Sequence, residues 1–168
     1  DGIVRSEFHE KMFGKKIISS FEQIKDSFDK KNLLNPHKIV RPFKSDDRSL
    51  MRYKSDYKAE NISTHYDWSS WGQFSDAVEM CNNNGACRKL DSGVMCPSYR
   101  VTKEEKDLVR GRANTLRLAL SNQLPKDSFV SKGMYETMEL CVSCKACQRE
   151  CPMSVDMAKM KSEFLSHY

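Results

Sequence analysis

The chain has 168 residues and a mass of 19.4 kDa, enough for one ordinary domain or two small ones and short for a complete enzyme with several cofactors. Hydrophobic residues make up 39% and charged residues 30%, mean hydropathy is −0.68, and no run approaches the roughly 18 apolar residues of a membrane span, so a transmembrane segment is not expected. The net charge of +5 divides into 14 Lys/Arg against 10 Asp/Glu over residues 1–60 and 14 against 13 over residues 61–168, with signs interleaved as on a solvated surface, so no nucleic-acid partner is expected.

The opening DGIVRSEFHEK has neither an initiating Met nor a charged-then-apolar leader, and Asp1 reads as a cleavage or cloning boundary. Ile17, Phe21, Ile24 and Phe28 recur at helical spacing and predict an amphipathic helix that stops near Asn35-Pro36 and needs a partner surface. From there to about Ser69 the sequence is polar and aperiodic, which predicts a long connector. Trp71, Phe74, Ala77, Val78 and Cys81 share one stripe, with Ser69 or Ser70 as N-cap, so a helix should deliver Cys81 at its C-terminal end. Thr102 and Glu105 have the spacing of a capping box before Val109, Ala113, Leu116 and Leu120, the clearest helix of the chain. Another helix is expected after Ser131, carrying Met134 and Met138 toward Cys141, and a last one from Ser154 with Met157, Met160 and Phe164 inward. Strand patterns are almost absent, so the expected fold class is all-α.

Seven cysteines are an odd number, and five fall in a C-terminal block beginning at Cys96, which favours metal ligation in a reducing compartment over a secreted disulfide framework. Cys141, Cys144, Cys147 and Cys151-Pro152 spell C-x2-C-x2-C-x3-C-P, the bacterial ferredoxin run, in which the fourth cysteine serves a second cluster. That second pattern lies upstream. Cys81 and Cys87 keep its outer positions, Asn84 stands in the middle ligand's place, and Cys96-Pro97 supplies the distal pair. Crossing the distal cysteines assigns Cys96, Cys141, Cys144 and Cys147 to one [4Fe–4S] cluster and Cys81, Cys87 and Cys151 to another, which consumes all seven. The three-cysteine site suits [3Fe–4S], slightly favoured, or [4Fe–4S] with a non-cysteine ligand.

Structural zinc is the rival, but with seven cysteines and only the scattered His9, His37, His65 and His167, two tetrahedral four-ligand sites are awkward to assemble, and each histidine reads as a surface residue. Met80, Met95, Met134, Met138, Met153, Met157 and Met160 lie close to the cysteines in sequence and are expected to form helix core, an apolar shell for a cluster. Arg88, Lys89, Lys145 and Arg149 follow cysteines directly; solvated surface is their plainer role and compensation of cluster charge the sharper one, which Arg110 and Arg112 share from the long helix.

The run from EMCNNNGACRKL to LRLALSNQL, followed by ELCVSCKACQRECPMSVDMAKMKSEFL, resembles the iron–sulfur domain fused behind the flavin domains of large bacterial FAD-linked dehydrogenases of the D-lactate, D-2-hydroxyglutarate and glycolate type. The helical ferredoxin domain is one shared with heterodisulfide reductase and anaerobic glycerol-3-phosphate dehydrogenase subunits. Residues 1–45 resemble the closing segment of the FAD-linked oxidase domain, with FDKKNLLNPHKIVRP similar to a DP-x-x-x-x-NPGKI finish in which Lys30 replaces the Pro and His37 the Gly.

The resemblance implies three segments: an oxidase-domain remnant over 1–45, a linker over 46–68 and an α-helical ferredoxin domain over 69–168. It implies that FAD belongs to a part of the parent protein outside this sequence, so substrate oxidation by this chain alone is not expected. The implied partners are a flavin dehydrogenase domain or subunit and a downstream acceptor, a quinone or an iron–sulfur carrier, with a cytoplasmic location or a peripheral one on the inner face of the membrane. A metal-organised interaction scaffold and an inactive fragment of a split gene are the alternatives.

Overall fold

The computed structural model of the protein describes residues 2, 4–49 and 51–168. The chain divides between Tyr57 and Lys58 into two compact units. All regular structure among the described residues is helical, with no strand, as the sequence patterning predicts. No helix there is long and apolar enough to cross a membrane.

The first unit opens with a 3₁₀ turn, Ser6–Phe8, and the helices α1 (His9–Phe13) and α2 (Lys15–Phe28). Gly14 ends one helix and starts the next at φ 80°, a left-handed conformation that costs any residue with a Cβ. Helix α2 stops seven residues before Asn35, because the Asp29 carboxylate accepts the N–H groups of Leu33 at 2.9 Å and Leu34 at 2.8 Å and folds the chain back. Lys25 Nζ sits 2.5 Å from the same carboxylate, and together these donors hold the Asp29 carboxyl down at about 2. The following segment straps the N-terminal turn, with Ile39 N–H donating to Ser6 Oγ at 3.1 Å and Ser45 N–H to Glu7 at 3.0 Å. His9 is buried rather than on the surface, stacked edge-on against Phe13.

The second unit contains α3 (Phe74–Glu79), α4 (Pro97–Thr102), α5 (Val109–Leu120), α6 (Lys132–Glu139), α7 (Ala146–Glu150) and α8 (Met157–His167). Helix α5 lies at the centre and touches α3, α6 and α8. Its Ala113, Leu116 and Leu120 meet Phe74 and Val78 of α3, Met134 and Met138 of α6, and Met160 and Phe164 of α8 in one buried core. The methionine stripes therefore do form helix core, as their spacing predicts.

Two expected caps are absent. Helix α3 begins only at Phe74, after a 3₁₀ turn over Ser69–Trp71, so neither Ser69 nor Ser70 caps it. Thr102 ends α4 instead of opening α5: its Oγ1 donates to the Ser98 carbonyl and accepts the N–H of Glu104. A 3₁₀ turn over Glu105–Asp107 then intervenes. Ser131 does cap α6, accepting the N–H of Met134 at 3.2 Å, whereas α8 starts at Met157 under an Asp156 cap, three residues later than expected.

The last part of the expected connector is a built strap. Glu60 N–H donates to the Leu120 carbonyl at 2.7 Å. Farther along, the fully buried Glu163 carboxylate of α8 receives the N–H of His65 at 2.9 Å, the N–H of Tyr66 at 3.1 Å, Trp68 Nε1 at 2.8 Å and His167 Nε2 at 3.1 Å. Burial raises the affinity of this carboxyl for a proton, but the indole, the two amides and the imidazole outweigh it and keep the group below the usual carboxylate range.

Candidate iron–sulfur centre

The cysteines sit where helices end or begin. Cys81 follows the end of α3, Cys87 lies in the 3₁₀ turn Ala86–Arg88, and Cys96 is the extended residue before Pro97, the first residue of α4. Cys141 follows α6, Cys147 is in the first turn of α7, and Cys151 closes that helix. Lys145 adopts φ 59° between Cys144 and Ala146, turning the loop tightly enough to bring three cysteines to one side.

Cys96, Cys141, Cys144 and Cys147 line a single cavity whose other walls include Met95, Pro97, Val109, Met157 and Ala158. Cys81 and Cys87 are electrostatic neighbours of each other and of Arg110. Cys151 is half-buried against the core outside that cavity, and its helix α7 packs against the turn that carries Cys87. Asn84 is exposed and engaged locally, its amide donating to Asn82 Oδ1 at 2.5 Å and its oxygen accepting the Ala86 N–H at 2.8 Å.

The donor set fits iron–sulfur chemistry. Burial pushes the Cys147 thiol up to about 11 against the opposing N–H groups of Met157 and Ala158, and Asp156 and Cys141 add to the rise. Burial likewise raises Cys87, against the N–H and guanidinium of Arg110. Buried thiols of this kind ionise when a metal supplies the missing positive charge, and the amides aimed at Cys147 are the donors that a thiolate in an apolar shell requires.

Several contacts around these cysteines have no local sequence signal, although Arg112 itself is expected from the sequence to compensate charge. Glu150 accepts the N–H groups of Val94 at 2.9 Å and Met95 at 3.0 Å, tying the loop before Cys96 to the helix before Cys151, and these amides lower its carboxyl. Arg112 is fully buried and donates Nε to the Thr137 carbonyl at 2.9 Å, Nη1 to the Asp107 carbonyl at 2.7 Å and to Cys96 Sγ at 3.5 Å, and Nη2 to Ser98 Oγ at 3.1 Å. Arg110 instead pairs with Glu105 through two bonds of 2.6 and 2.9 Å. Among the other cations, Arg88 donates to the Tyr99 hydroxyl, Lys145 lies 3.6 Å from Asp156, and Lys89 and Arg149 are exposed.

His65, Glu163 and His167 also gather ligand atoms in one place. Four hydrogen bonds already fill the lone pairs of the Glu163 carboxylate, which makes the group a latch between the strap and α8 rather than an open metal site.

The helical unit carries seven free cysteines, and the model of the 4Fe–4S dicluster domain matches residues 77–155 of the chain. Over 98% of its length the chain is homologous to D-2-hydroxyglutarate dehydrogenases, at 28% identity to that of Pantoea ananatis, 29% to that of Pseudomonas putida and 28% to that of Escherichia coli. It spans 19% of the length of these relatives. No solved structure matches it.

Proposed function

We propose that this chain is the electron-transfer part of a FAD-linked dehydrogenase acting on a 2-hydroxy acid. In this reading Cys96, Cys141, Cys144 and Cys147 hold a [4Fe–4S] cluster, and Cys81, Cys87 and Cys151 hold a second cluster beside Asn84. When bound, the clusters supply one-electron steps between a two-electron flavin and a quinone or iron–sulfur acceptor. The protein's share is to fix the sulfurs, exclude water with the Met95, Val109 and Met157 walls, and place cations and amides against the ligands.

The observation that carries the reading is the convergence of Cys96 with the Cys141–Cys147 loop on one cavity, although 45 positions separate Cys96 from Cys141. The local bonding of Asn84 supports a three-thiolate second site, since its carboxamide is already engaged with Asn82 and Ala86. The exposed apolar side chains of α2, among them Ile24 and Phe28, suit a first unit that belongs to a larger flavin domain.

Iron and acid-labile sulfide analysis after anaerobic purification, with electron-spin spectroscopy, tests this. Iron and sulfide near two clusters per chain are expected, with an oxidised [3Fe–4S] signal lost in C81S, C87S and C151S and retained in C144S. Stoichiometric zinc without sulfide overturns the reading, and loss of that signal in C144S alone overturns the crossed ligand sets.

A further inference from the structure

We propose that Arg112 sets the reduction potential of the cluster that Cys96 ligates, a role that rests on the ligand sets above. Its guanidinium is 0% exposed, so water does not screen it. The nearest carboxylate, Asp107, is itself buried, lies 3.8 Å away and has no hydrogen-bond partner on either oxygen. The buried carboxylate therefore offsets part of the charge without a directed hydrogen bond to the guanidinium, which leaves the N–H groups free for other acceptors. These N–H groups go to two carbonyls, one hydroxyl and the Cys96 sulfur, and this four-point attachment fixes the charge where it is.

A fixed N–H bond to a ligand sulfur stabilises added negative charge there. Uptake of one electron from an external reductant such as dithionite adds one negative charge at the cluster, makes or breaks no bond at Arg112, and leaves its proton in place in both states. The reduced state gains more from the cation than the oxidised state does, and the potential rises. Arg110, two positions earlier on α5, supplies an internal comparison: it stands beside Cys81 and Cys87, is partly exposed, and is neutralised by Glu105. One turn of helix thus presents a buried guanidinium with an N–H on a cysteine sulfur to one group of cysteines, and a partly exposed guanidinium bonded to Glu105 to the other.

The test is a potentiometric titration of the full chain, reconstituted anaerobically and followed by electron-spin spectroscopy, in wild type, R112Q, R112K and R110Q. For R112Q, one of the two couples should show about tenfold less reduced cluster at a given applied potential, the effect of one hydrogen bond to a charged group, which is about 59 mV for a one-electron couple. R112K should fall between wild type and R112Q, and R110Q should leave that couple within about twofold. Superimposed titrations, or equal movement of both couples in R112Q, overturn the proposal. Should R112Q not retain iron and sulfide, wild-type chain with ¹⁵N-guanidinium arginine decides: a ¹⁵N coupling on the reduced cluster in pulsed spectra supports the N–H···S bond, and its absence overturns it. A wild-type chain without iron and sulfide fails the ligand sets themselves, whereas intact clusters with unmoved potentials fail Arg112 alone.

Discussion

Gly111 separates Arg110 from Arg112, and its hydrogen is a packing requirement. A Cβ there would stand 1.9 Å from the Glu105 carbonyl oxygen and 3.1 Å from Lys106 Cα. Both obstacles are backbone, so relief requires moving the 3₁₀ turn Glu105–Asp107, whose last carbonyl receives Arg112 Nη1. G111A should therefore lower the denaturant midpoint of the second unit by the equivalent of about 1–3 kcal/mol, outweighing the roughly 1 kcal/mol that Ala gains over Gly in a helix. A raised midpoint by circular dichroism would mean that the turn yields freely. The same few residues show what a sequence reveals. The two arginines stand out as compensating charge, and the cysteine run is legible because its members are near neighbours in the chain. The roles of Arg112, Glu150 and Glu163 are not, since each depends on partners 14 to 25, 55 to 56 and 95 to 98 residues away respectively, which no local pattern reveals.

At the scale of elements, periodicity found the helices but misplaced their ends. A Thr three residues before a Glu looks the same whether the Thr starts a helix or, as Thr102 does, closes the previous one by bonding to Ser98. The end of α2 shows the same competition between helix propagation and a side chain that captures backbone donors. Asp29 stops the helix as a carboxylate, through Lys25, Leu33 and Leu34. Its carboxyl lies at about 2 in the folded chain against an ordinary value of 3.8, so the charged latch contributes fully above pH 4 and is lost as pH falls from about 4 to 2. Amide exchange at Leu33 and Leu34 should accelerate over that window in wild type and be fast and pH-insensitive, beyond the chemical rate, in D29N. Equal protection in the two proteins would show that the carboxylate is dispensable.

The whole molecule is two compact units joined at Tyr57 and Lys58, with all seven cysteines in the second. Limited proteolysis should cut first in the irregular stretches over residues 44–49 and 51–57, and the resulting C-terminal fragment should keep the iron and sulfide of the uncut chain. Loss of iron on that cut would mean that the first unit helps hold the clusters. The division between Tyr57 and Lys58 falls within the stretch 46–68 read from the sequence as a linker, and the last part of that stretch is bonded to α5 and α8.

The Glu163 latch joins the beginning of the second unit to its final helix, setting the rings of His65 and His167 only 5.3 Å apart. Its two extremities are thus neighbours, like the ends of a clasped bracelet. Pulling on either one loads the same buried carboxylate, so peeling cannot start at one extremity without unfastening the other, and the module should come apart as a single event.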